Sequence, residues 1–375
     1  MNKYMSTICT LMVLSGCKKP YTPQTVSAPN NYLVVEGVID TGPDSTFVKL
    51  SRTVDVSTKK SFKPELFAEV DVESDANVSY PLPEKGNGTY ASAPLNLDNG
   101  HKYRLYIKTA DSRTYLSDFV EAKTTPDIDS LGYKIQSNGV QVYVSAHDAA
   151  SKTRYYRWDY DETWLFHTTY ISLYKLVDNL PVYRPPAEQI YQCWGSDTAT
   201  NITLASTTRL STDLVTQQPI AFIPSSAEKL GERYSIVVRQ YALTQAGYEY
   251  YVNLKKNTEQ LGDIFDTQPS SIKGNISCTS NPSEPVIGFI SAGTISKKRI
   301  FVDRRELPAW RTYTYYDERD CLQDTISLKT PDKVRFYYAG PPYGYLPTSL
   351  PYLAASIECV DCTLRGTNKQ PDFWK

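Results

Sequence analysis

The chain has 375 residues, 41% of them hydrophobic, with 40 basic against 41 acidic side chains and a formal net charge of −1. That apolar content supports folded cores and excludes a chain disordered throughout, and the length suits two or three domains. Balanced charge without long single-sign blocks argues against a nucleic-acid or polybasic membrane-surface role.

Lys3 gives a short positive start, and Ile8 to Leu14 form an apolar run too short to span a bilayer. Leu14-Ser15-Gly16-Cys17 then resembles a lipobox, so residues 1–16 read as a lipoprotein signal peptide and Cys17 as the diacylated first residue of the mature chain. The alternatives are a chance run of small residues before a buried cysteine and ordinary secretory cleavage, and both also export the chain. The expected membrane attachment is this diacylglycerol anchor, with the Pro-, Thr- and Ser-rich residues 17–31 as its tether.

Thirty tyrosines against three methionines, with frequent Val, Thr and Ser, favour strands. Tyr32 to Ile39 reads as a strand, Asp40 to Asp44 as a turn and Phe47 to Leu50 as the returning strand. Tyr103, Leu105 and Ile107 alternate with Arg104, Tyr106 and Lys108 as a half-buried strand should. Residues 32–122 are therefore expected to form an N-terminal β-sandwich. A second sandwich is expected over 127–303, with Tyr234 to Tyr241 as a central strand and closing strands at Pro285 to Ile290 and Arg299 to Val302. It carries one helix over 244–261, capped by Thr244, with Ala246, Tyr250, Leu254 and Leu261 at helical intervals. Residues 304–375 read as a loop-rich, cysteine-containing segment docked on the second domain, because Phe373 and Trp374 would be costly in water. The expected fold class is mainly β, two consecutive antiparallel Ig-like or fibronectin-like sandwiches.

Beyond Cys9 and Cys17 the chain holds Cys193, Cys278, Cys321, Cys359 and Cys362. In an oxidising envelope this odd count predicts two disulfides and one remaining thiol. One bridge per region would pair Cys193 with Cys278 and Cys321 with Cys359 or Cys362. The spacing Cys359-Val360-Asp361-Cys362 also fits redox or zinc chemistry, but no second such pair accompanies it.

Several stretches together resemble a family of Bacteroidota envelope lipoproteins catalogued as domain of unknown function 4249. They are the Leu33-Val34-Val35-Glu36-Gly37 opening, Tyr234 to Tyr241 running into Tyr248-Glu249-Tyr250-Tyr251, and Gln268-Pro269 leading to Gly274-Asn275-Ile276. The ending from Cys359-Val360-Asp361-Cys362 through Gly366-Thr367-Asn368 to Pro371-Asp372-Phe373-Trp374 completes them. The resemblance implies an outer-membrane lipoprotein, often encoded beside a TonB-dependent receptor, and brings no catalytic residues with it. Surface-displayed relatives often carry acidic residues after the lipidated cysteine, whereas Lys18-Lys19 follow here, so the facing leaflet stays open.

GxSxG, HExxH, Walker, GxGxxG and EF-hand patterns are all missing from the sequence. His101, His147 and His167 have no second histidine at ligand spacing, and neighbouring strand residues such as His147 and Asp148 point to opposite faces. Asp159 and Asp161 share a strand face, with Glu162 beside them, which makes a glycosidase pair or cation site conceivable. Trp158 and Trp164 also share a face, more typical of core than of a sugar platform. The tyrosines of the 337–352 loop, Tyr337, Tyr338, Tyr343 and Tyr345 among them, are the candidate partner or ligand surface. The expectation is a non-enzymatic accessory or binding subunit for a TonB-dependent receptor in nutrient uptake, without cofactor, metal or nucleic acid. The alternatives are an adhesin or structural envelope protein and, third, a hydrolase using Asp159, Asp161 and Glu162.

Overall fold

The computed structural model describes residues 31–54, 63–177, 180–259, 273–313, 321, 324–326, 337–340 and 352–374. Strands dominate them, with one α-helix, Gln245–Glu259. No helix among them is long and apolar enough to cross a membrane.

The first sheet grows from Leu33–Asp40, in which Leu33, Val35 and Ile39 are buried at alternate positions, the period that a strand with one core face requires. Phe47–Arg52 pairs antiparallel with it and turns Val48 and Leu50 into the same core. Thr89–Ala91 and Glu84–Gly86 extend that flank. On the other flank Lys102–Lys108 is bordered by Thr114–Ser117, Val120–Lys123 and Glu69–Ser74. The sheet curls into a half-barrel around Tyr103, Leu105, Ile107, Val70 and Val72.

The seam between the flanks is closed from far along the chain. Val286–Gly288 and Ser291–Gly293 both run parallel to Leu33–Asp40, and Ser291–Gly293 also runs parallel to Val120–Lys123. Ile276–Cys278 pairs with Thr114–Ser117. Residues 276–293, expected in the second domain, thus complete the first sheet. Arg52 ties them there: its Nε donates to Glu65 (2.6 Å), while Nη1 reaches the Tyr115 hydroxyl (3.3 Å) and Glu284 (3.4 Å). The architecture is a curled mixed sheet with smaller antiparallel sheets, in place of the two consecutive antiparallel sandwiches expected.

Ile128–Gln136, Gly139–His147 and Leu214–Pro224 form one antiparallel sheet. Gln192–Thr198, Tyr155–His167, Arg233–Ala242 and Ser296–Asp303 form another, and Thr203–Ser206 also pairs with Tyr155–His167. Val140, Val142 and Val144 of the first share one core with Tyr156, Trp158, Tyr234, Ile236 and Val238 of the second. Each fully buried aliphatic side chain there contributes about 1.5–3 kcal/mol. The Trp158 indole N–H donates to Gln240 Oε1 at 2.8 Å, so its burial leaves no unpaired donor.

Thr244 caps the helix, its hydroxyl accepting the Gly247 N–H at 3.1 Å. Tyr248 meets Tyr155 of the second body (5.0 Å between centroids) and buried Tyr250 meets Phe289 of the returning segment (5.4 Å). The helix therefore bridges the two bodies. The expected Leu261 contact lies outside the described residues.

Cysteine pairing follows this arrangement. Cys321 is bonded to Cys359, one of its two expected partners, and Cys193 is bonded to Cys362. The expected Cys193–Cys278 bridge is corrected: the Cys278 thiol is buried in the first sheet's core, whereas Cys193 packs beside Phe166 in the second body. The two cysteines of the CxxC sequence thus serve different bridges, rather than a redox pair. At the chain's end Trp374 is buried against Trp194 (6.3 Å) and Phe301 (5.5 Å).

Candidate functional site

The two bodies turn their outer faces toward each other across a cleft of about 760 Å³, within the range of small-molecule sites. Alternation along the strands decides what lines it. Tyr156 and Trp158 point into the core, so Arg157 and Asp159 emerge opposite. Likewise Ile236 and Val238 are core, and Arg239 and Tyr241 line the cleft. The first sheet contributes Glu36, Phe47 and Lys49 from its outer face, and the helix contributes Tyr250, Tyr251 and Leu254.

Strand register sets Arg239 directly across from Asp159. Its Nε donates to Asp159 Oδ1 (2.5 Å), and its two terminal nitrogens grip both oxygens of Asp161. Burial works to lower the Arg239 pKa, but the hydrogen bond to Asp161 and the charge of Asp159 outweigh it and raise it. Arg157 is held differently. Its guanidinium lies over the rings of Tyr241 (4.2 Å) and Tyr251 (4.8 Å), a cation–π arrangement. Nη2 is 3.4 Å from Asp159 Oδ2, and the buried Nε has no hydrogen-bond acceptor among the described residues. Burial likewise opposes its charge, while Tyr251 and Asp159 push the pKa up, so the cation persists. At the rim Lys297 pairs with Asp44 at 2.8 Å.

The carboxylates singled out in the sequence are separated by this geometry. Asp159 and Asp161 do share a face, and both are neutralised by Arg239. Glu162 points into the opposite side, 6% exposed, where Lys229 and the Tyr234 hydroxyl (2.6 Å) hold it. The histidines lie apart from the cleft: His101 pairs with Asp75 (2.7 Å), His147 with Asp129 (2.7 Å), and His167 contacts the Thr168 carbonyl (2.8 Å). The hydrogen bond that His147 donates to Asp129 raises the His147 pKa. Asp148, adjacent to it in sequence, instead accepts the backbone N–H groups of Ala150, Lys152 and Thr153. Among the described residues no group of three or more His, Cys, Asp or Glu is placed to hold a metal ion.

Cys17, Tyr343 and Tyr345 lie outside the described residues, while Tyr337 and Tyr338 fall on Tyr337–Gly340, whose backbone pairs with Tyr352–Ala355. Sequence reasoning missed Arg157, Arg239, Phe47, Tyr241 and Tyr251. A signal existed, since arginine at a strand position opposite the core face, flanked by buried aromatics as in Tyr156-Arg157-Trp158, marks a second face that is also covered. Comparison with curated proteins gives no match. The profile of a family described as a domain of unknown function, DUF4249, matches residues 18–299, which include every cleft residue named above, and the chain belongs to that family.

Proposed function

We propose that this protein is a lipid-anchored envelope protein of the Bacteroidota outer membrane, acting as a non-enzymatic accessory or binding subunit beside a TonB-dependent receptor in nutrient uptake. The observation that carries binding over hydrolysis is the neutralisation of Asp159 and Asp161 by Arg239. Both oxygens of Asp161 and one of Asp159 are taken up by that guanidinium, whereas a glycosidase pair needs carboxylate oxygens free to meet the substrate. The cleft offers a place for a ligand, and the lipobox ending at Cys17 supplies the address. In this reading the paired antiparallel sheets of the second body act as an Ig-like scaffold for one wall of the cleft.

Affinity purification of the full chain from envelopes in mild detergent tests the reading. A porin-like receptor is expected to co-purify reproducibly. Its consistent absence, together with a deletion that impairs attachment and leaves uptake intact, would replace this reading with an adhesin.

A further inference from the structure

We propose that the cleft binds a small organic acid, its carboxylate lying in the plane of the Arg157 guanidinium and its apolar body resting against Phe47 and Leu254. The inference rests on the binding-subunit reading and names the ligand class of that same cleft.

A guanidinium carries all its hydrogen-bond donors in one plane, and its faces are suited to aromatic contact. In Arg157 the aromatic contact is already made, by Tyr241 and Tyr251, so those rings are occupied by the cation rather than offered as platforms for a sugar. The donor edge is under-used. Nη2 stands 3.4 Å from Asp159 Oδ2, and the other oxygen of that carboxylate belongs to Arg239 at 2.5 Å. Nε finds no acceptor among the described residues. A planar carboxylate presents two acceptors to such an edge and matches it better than a neutral or cationic group.

The other charged groups of the cleft have partners already. Asp44 is matched with Lys297, Glu36 faces Lys49 across paired strands, and Arg239 takes Asp159 and Asp161. Lys49, Arg157, Arg239 and Lys297 line the cleft with Glu36, Asp44 and Asp159, and Asp161 on Arg239 brings the set to neutrality, so a ligand's carboxylate is received by the donor edge of Arg157 and not by a surplus of charge. For the rest of the ligand, the wall opposite offers Phe47, 59% exposed although it lines a cleft. An apolar body covering that ring is stabilised by the surface it removes from water.

The full chain in mild detergent should be titrated calorimetrically with 4-phenylbutyrate, its amide, phenylbutylamine and inorganic phosphate. Saturable binding of 4-phenylbutyrate is expected, with the amide, the amine and phosphate each weaker by about tenfold or more. Arg157→Met should lower that affinity by about tenfold or more, and Arg157→Lys should restore part of it. Should Arg157→Met fail to fold, Phe47→Ser serves instead, weakening 4-phenylbutyrate and leaving acetate unchanged. No binding of 4-phenylbutyrate, tighter binding of the amine or phosphate, or full affinity in folded Arg157→Met would each overturn the proposal. Receptor co-purification is unaffected by any of these results, so the two readings fall separately.

Discussion

Asp40 closes the opening strand with its carboxyl almost out of water, 1% exposed. One oxygen accepts the Gly42 N–H at 2.7 Å and the other has no partner among the described residues. Burial pushes the pKa from 3.8 up to about 6; the Gly42 hydrogen bond and Lys297 oppose that, and Asp44 adds to it. A folded-state pKa above the unfolded one means that this group's contribution to stability is complete below about pH 4 and is lost as pH rises through about 6. Between pH 4 and pH 7 the natural chain is expected to lose about 2 kcal/mol more than Asp40→Asn, read from urea unfolding at each pH. Parallel pH curves for the two proteins would remove the argument. Asp44 and Lys297, paired at the cleft rim, both act on this carboxyl through their charges.

Among the elements, the short parallel strands of the return are the most exacting. Gly288 has φ of +150°, and a Cβ there would lie 2.4 Å from the Val35 carbonyl oxygen. Gly288→Ala is expected to destabilise by about 1–3 kcal/mol from backbone strain alone. Gly132→Ala, at a strand position with nothing within 4 Å of the added carbon, should stay within about 0.5 kcal/mol. Guanidinium unfolding of both variants checks this, and equal midpoints would contradict it. The same strands explain what could and could not be read beforehand. Leu33–Asp40, Lys102–Lys108 and the Thr244-capped helix announce themselves through period two, period 3.6 and a capping residue. Ser291–Gly293 offers no such pattern: three small residues, all buried because strands lie on both sides. The cleft was hidden for a related reason. Arg157 and Tyr241 are legible as strand residues, but what faces them is decided by how one body is turned against the other.

At the scale of the molecule, the bridges join segments that are remote in sequence. Cys193–Cys362 closes a loop with a separation of 169 residues and Cys321–Cys359 one of 38. By loop-closure entropy each contributes about 4–5 kcal/mol as an upper figure. Alkylation of the denatured, unreduced protein should label Cys278 and spare Cys193, Cys321, Cys359 and Cys362, with mass mapping of peptides as the readout. Labelling of Cys193 together with Cys362 would reject the first bridge.

The parallel return also sets a timetable. Strands Leu33–Asp40 and Val120–Lys123 are bridged by Ser291–Gly293, so the first sheet cannot close until about 170 further residues have left the ribosome. At ordinary elongation rates that is a wait of about 10–30 s. Throughout it the nascent N-terminal region carries two unpaired strand edges and lacks the strand that would lock them. Such a delay keeps the earliest segments from completing their native sheet while the later ones are still being made.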